Sequence, residues 1–231
     1  MLKIKSLALV ALVGTLAACN QAPDSDTAKV SDAQEVNDDT GGETYHVDPA
    51  ASSLAWIGTK VSGTHSGEVK IKSGELTVAN GTVTGGNFVL DMGSIRTTGP
   101  KGSSPEWDAK LDGHLKSGDF FDVEKYPDAK FEITKVEPFN GTVQEENDPR
   151  QEDLNQFKVT NPTHTVSGNL TMKDQTRNVT FPARINMSGN EVTALAKFNV
   201  DRKEWGLVYT GKPDDLIADQ VHFGINLKAT K

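Results

Sequence analysis

Cysteine is almost absent from this 231-residue chain, which has only Cys19. No internal disulfide can form, so stability has to come from a buried core. Long apolar runs are also lacking. The longest, Ser6 to Leu16, is about eleven residues, well short of the ~20 that a membrane-spanning helix needs. Positive charge is in deficit: 24 Lys and Arg face 32 Asp and Glu, a formal net charge of −8. No basic stripe appears, and an acidic chain is repelled by phosphate backbones, so nucleic acid is not an expected partner. Catalytic signatures are missing. There is no Gly-x-Ser-x-Gly elbow, no phosphate-cradling glycine loop and no His-Glu-x-x-His. No two of the five histidines (His46, His65, His114, His164, His222) stand two or four residues apart, so no local zinc pattern exists.

What is present begins with an address. Lys3 and Lys5 precede the short apolar run, and Leu16-Ala17-Ala18-Cys19 follows it. A basic start, a short apolar stretch and small residues before a cut site make a secretory signal. A cysteine after Leu-Ala-Ala resembles the bacterial lipobox. That resemblance implies cleavage after residue 18, acylation of Cys19 and a membrane anchor in the cell envelope. Asn20 after the cysteine favours the outer membrane over the inner in enteric-type sorting. Residues 19–43 then read as a disordered acidic tether. Six acids face Lys29 alone between Asn20 and Gly42, with no aromatic residue. Such a coil would reach roughly 25–30 Å.

Residues 44–231 read as one all-β domain. Apolar side chains alternate with polar ones in run after run: Leu54 and Trp56, Val69 and Ile71, Phe88 and Leu90, Phe131 and Ile133, Val166 to Met172, Val179 to Ile185, Ala194 to Val200, Val221 to Leu227. Period two means one buried and one wet face. Asn80-Gly81, Lys173-Asp174-Gln175 and Gly189-Asn190 punctuate the runs as hairpin turns, and Asn140-Gly141 has the same chemistry. Eight or nine strands with short connections make an antiparallel barrel or sandwich. One helix is expected after Ser104-Pro105-Glu106, an N-cap, an N1 proline and a first-turn acid. Trp107, Leu111, His114 and Leu115 share its face, which would cover an open barrel end. Residues 142–156 form an acidic loop. His65 is either a surface histidine or a polar group at a pocket mouth. His164 is either a core histidine or pocket-lining. Arg202 caps a barrel end or pairs with Asp201 or Glu204. The inward-facing Gly58, Gly168, Ala183, Ala194 and Ala196 leave room for either a cavity or tight packing.

The order of the motifs resembles the YceI-like family of bacterial periplasmic proteins. The matching pieces are Tyr45-His46-Val47-Asp48-Pro49, Ser53-Leu54-Ala55-Trp56 with Lys60, His65 and Gly67, and Leu90-Asp91-Met92. Then come His114-Leu115-Lys116-Ser117, Asp119-Phe120-Phe121-Asp122-Val123, Val166-Ser167-Gly168-Asn169-Leu170-Thr171, Phe198-Asn199-Val200-Asp201-Arg202 and Trp205-Gly206. The resemblance implies an extended, eight-stranded, lipocalin-like antiparallel barrel with a short amphipathic helix over one end. It also implies a long apolar tunnel for a polyisoprenoid, prenylated quinone or similar lipid, no cofactor, no catalytic residues, and a homodimer as a common state. Alternation and resemblance together place Trp56, His65, Phe88, Leu90, Trp107, Leu111, Leu115, Phe131, Leu170, Phe181, Phe198 and Phe223 at the ligand. Two other readings stand beside a lipid carrier or reservoir. A ligand-free interaction module would show a filled core and an exposed apolar patch. A small-molecule enzyme would gather His65, His114 or Arg202 in one cleft.

Overall fold

The computed structural model describes residues 21–36, 41–142 and 156–231. The leader, Cys19 and almost all of the acidic loop therefore lie outside the described residues.

Strand length sets the architecture. β4 (Gly63–Ala79) has 17 residues and β5 (Thr82–Gly99) has 18. At ~3.3 Å per residue each runs about 55–60 Å, far longer than an ordinary strand. Asn80 and Gly81 between them both take positive φ, 52° and 74°, the twist that a two-residue hairpin turn needs. Irregular register along β4 and β5, as between Ser66 and Gly67, bends the pair so that it can wrap.

The sheet closes on itself. β6 (Asp128–Pro138), β7 (His164–Met172), β8 (Gln175–Ser188), β9 (Glu191–Asp201) and β12 (Gln220–Thr230) follow β5 in antiparallel order. β2 (Glu43–Val47) and β3 (Ser53–Lys60) are two halves of one interrupted stave, each pairing with β4 on one side and β12 on the other. The result is the expected eight-stave antiparallel barrel. A small hairpin of β10 (Gly211–Lys212) and β11 (Asp215–Leu216) sits at one rim, after a 3-10 helix at Arg202–Trp205. Trp205 is fully buried, and its indole N–H donates to the Leu170 carbonyl at 2.8 Å.

Helix α1 (Pro105–Lys116) starts where the sequence places it, with the Ser104 hydroxyl accepting from the Trp107 N–H. It docks on β5 through Asp112, which accepts from the Thr97 N–H and hydroxyl at 2.6 and 2.7 Å. Leu111 and Leu115 pack against the core, but Trp107 is 67% exposed and covers nothing. Helical steps of 100° explain the difference. The docked face is centred near Leu115 and Asp112, and Trp107 lies about 80° round from Leu115 in the first turn. Its ring instead lies under the Lys110 ammonium, 5.1 Å away.

The acidic segment ahead of the barrel is a second correction. Residues 21–36 are not a free tether. β1 (Lys29–Asp32) pairs antiparallel with Arg177–Thr180 of β8, and Thr27 bridges to Asn199 of β9. Composition reports side chains, whereas this segment is held mainly by backbone hydrogen bonds, which an unpaired strand edge offers to almost any sequence.

Close packing generates a test. A Cβ at Gly67 would run into the Arg96 carbonyl oxygen and the Trp56 indole. Gly67→Ala is expected to cost about 1–3 kcal/mol by overpacking, read as a lower urea midpoint with an unchanged m-value.

Candidate functional site

Inward side chains of all eight staves surround one cavity of about 90 Å³. Its walls are made by twenty residues, every one apolar. The alternation that the strands impose puts these side chains inside and their polar neighbours outside.

A belt of phenylalanines crosses the interior. Phe88 stacks on Phe131 at 5.3 Å, and Phe131 meets Phe181 at 5.9 Å. Phe181 stacks on Phe198 at 4.1 Å, and Phe198 meets Phe223 edge-on at 6.1 Å. Five strands each contribute one ring. The small inward residues divide into two sorts. The space beside Gly168 is taken by the Phe131 ring, and that beside Gly67 by Trp56. Ala183, Ala194 and Ala196 instead face the void.

Six of the twelve residues expected at the ligand line the cavity: Phe88, Leu90, Phe131, Leu170, Phe181 and Phe198. Phe223 stands behind Phe198, opposite Trp56 in register. Trp56 is buried toward the helix-bearing end, and its indole N–H has no hydrogen-bond partner. Leu111 and Leu115 pack against the core from outside the cavity, and Trp107 faces away from it. His65 sits at the same rim, away from the void. Burial and the Lys60 charge lower its pKa, against Asp108 and Asp215, which raise it. Lys60 itself is held by Asp215 at 2.7 Å, and with Ser62 it draws that carboxyl down to about 2. Val83 is a lining residue that alternation missed, because the hairpin turn sits directly before its strand.

Polar groups elsewhere are committed to structure. Arg202 donates from Nε to the Ala218 carbonyl at 3.0 Å and from Nη1 to the Leu207 carbonyl. Its nearest carboxylate is Asp219 at 3.6 Å, rather than Asp201 or Glu204. Burial lowers its pKa against the pull of Asp219 and Asp201. Arg202 thus ties the β10–β11 lobe across the barrel end. His114 lies against Phe120 and Tyr209 and meets Asp119 at 3.1 Å. His164 is half-buried at the opposite end, where burial lowers its pKa and Thr163 meets its Nδ1 at 2.8 Å. No group of three or more potential metal ligands occurs among the described residues. The arrangement offers an apolar slot, and among the described residues no acids, bases and nucleophiles converge on it.

A YceI-like domain accounts for residues 45–229, most of the chain. The protein belongs to the YceI-like family. UPF0312 proteins from two Pseudomonas putida strains are 36% identical over 83 residues, 36% of this chain and 33% of theirs. The match thus spans about a third of those curated relatives. Among solved structures, Burkholderia cenocepacia BcnA superposes with a TM-score of 0.58 at 20% identity, covering 80% of this chain and 99% of that one. A polyisoprenoid binding domain from Saccharophagus degradans, implicated in plant cell wall breakdown, gives 0.55 at 14% identity, with 80% and 97% covered. Identities this low speak for the barrel alone. The YceI-like stretch begins at Tyr45, so β1 lies outside it.

One buried histidine makes the fold pH-sensitive. His222 is 3% exposed, and its Nδ1 lies 2.9 Å from the Asn199 side-chain oxygen. Burial, helped by the Lys197 charge, pushes its pKa down to about 4. The folded state keeps the ring neutral while the unfolded chain takes up a proton near pH 6.5. Stability from this group is therefore full above about 6.5 and declines as pH falls toward 4. Urea midpoints at pH 7 and pH 5 should show a smaller drop in His222→Asn than in the parent. An equal drop in both would count against it.

Proposed function

We propose that this protein binds one long apolar lipid inside the barrel, a polyisoprenoid, prenylated quinone or chain of the same kind, and acts in the cell envelope as a carrier or reservoir rather than as an enzyme. The observation that carries this reading is the cavity wall, twenty apolar side chains crossed by a phenylalanine belt. Each methylene moved there from water contributes roughly 0.8 kcal/mol. The polyisoprenoid-binding domain of Saccharophagus degradans, which shares the barrel, supports the ligand class. A long chain needs more room than about 90 Å³, so binding moves side chains aside. Phe88, Leu90, Ile185 and Ile225 line the cavity and are only partly buried, so they are the side chains that would give way. Cys19, acylated as its sequence context implies, would hold the barrel at the membrane that stores its ligand.

A second reading, an interaction module, is favoured by one observation. The large apolar residues exposed among those described, Val61, Trp107, Val208 and Leu216, belong to the turns, helix and small hairpin of one rim. Native mass spectrometry of protein from its own host, with lipid extraction, separates the two. One prenyl chain or quinone per barrel is expected. A bare protein mass, with no uptake of offered polyprenols, would favour the interaction module. Ala194→Phe should fill the void and weaken polyprenol binding at least ten-fold while leaving circular dichroism unchanged. Undiminished binding would place the ligand elsewhere.

A further inference from the structure

The barrel wall has a wedge in it. β8 and β9 pair only between Ala183/Ala196 and Ser188/Glu191. Beyond that they part, and residues 26–32 fill the space. On the β8 side, Lys29, Val30, Ser31 and Asp32 pair with Thr180, Val179, Asn178 and Arg177. On the β9 side, the Ala28 N–H donates to the Asn199 carbonyl at 2.9 Å, and the Asn199 N–H donates to the Asp26 carbonyl at 2.7 Å. Ala28 is buried and Val30 packs on the core, while Lys29, Ser31 and Asp32 face solvent. The segment is a short ninth stave supplied from outside the YceI-like stretch.

The banks of this wedge are the cavity's own walls. Val179 and Phe181 on β8 and Phe198 on β9 all line the void. With the segment withdrawn, β8 and β9 stand about two strand spacings apart, roughly 10 Å. That admits an extended hydrocarbon chain sideways.

The hold on the segment suits withdrawal. Apart from the backbone bonds it is mainly polar and peripheral. Asp32 meets Arg177 at 3.0 Å, Asp24 meets Lys158 at 3.1 Å, and Gln34 exchanges two hydrogen bonds with the Asn169 side chain. Ala28 and Val30 are its small inward apolar groups. Its own share of the core is two small side chains, so it opens more readily than the whole barrel unfolds.

We infer that residues 26–32 are a removable stave, and that the slot they occupy between β8 and β9 is where an apolar chain passes into and out of the cavity. This rests on the lipid-binding reading above. It also gives the anchor a role. Pro23, whose carbonyl accepts from the Asn199 amide at 2.9 Å, is four residues from Cys19, at most about 14 Å of chain. With Cys19 acylated, the slot is held close to the bilayer, and pull on the anchor is pull on the stave.

Lys29 and Thr180 are register partners. Antiparallel partners sit ~4.5–5.5 Å apart, within disulfide reach. The test uses the full chain carrying Cys19→Ser, Lys29→Cys and Thr180→Cys, with phosphatidylcholine vesicles donating a fluorescent geranylgeranyl probe. Oxidation should slow uptake at least ten-fold, and dithiothreitol should restore it. Ala28→Gly with Val30→Gly, which removes the stave's two inward side chains and changes no barrel residue, should speed uptake several-fold. Equal rates in oxidised and reduced protein, or no acceleration in the glycine variant, would overturn the inference and leave the barrel ends as the route. No uptake by any form, parent included, would remove the lipid-binding reading and this inference with it.

Discussion

Everything in this protein depends on closing a sheet of very long strands without leaving an edge. A strand of 17 or 18 residues presents a long row of backbone donors and acceptors, each costly to leave unpaired away from water. β4 meets its own by pairing with β5 on one side and the split stave β2–β3 on the other, and the sheet closes where β12 pairs with both β9 and β2–β3. Pairing between β8 and β9 ends at Ala183 and Ala196, beyond which the two strands diverge. There the chain uses its own N-terminal segment as strand. The same constraint that builds the wall therefore makes one part of it separable.

The interior follows from closure. Once eight staves face inward, their side chains must share one volume, and the aromatic residues take it first. Five phenylalanine rings contact in sequence, and glycines at 67 and 168 are spaces that rings already fill. Room survives where alanines stand, at 183, 194 and 196. Polar residues are driven to the rims. Arg202 is spent on backbone carbonyls that fasten a loop, and Lys60, Ser62 and Asp215 satisfy one another. The wall around this void is apolar throughout.

Much of this was legible beforehand. In the runs it marked between Leu54 and Leu227, alternation assigned the inward face correctly, since a side chain's direction along a strand is a local property with period two. The turns at Asn80-Gly81 and Gly189 were legible because positive φ favours Asn and Gly, and the turn at Lys173 was marked by Asp174 beside it. The helix start was legible from Ser104 and Pro105. Trp107 was misjudged because helical periodicity gives the spacing of a face but not which rotation docks. Asp112 on Thr97 settles that rotation. The segment at residues 21–36 was misread as a tether because composition records side-chain burial and is silent about an unpaired edge elsewhere in the chain.

By itself, then, the sequence determined the strands, their inward faces, the turns between them, the helix cap and the family. Each of these is set by neighbours a few residues apart or by an ordered set of motifs. Only the tertiary structure decided which inward residues line a void and which merely pack, and where the wall remains open for a strand from outside the family domain. Cavity volume is what remains after every side chain has been placed, and the β8–β9 wedge depends on the curvature of the whole sheet. Neither quantity belongs to any stretch of sequence short enough to read on its own.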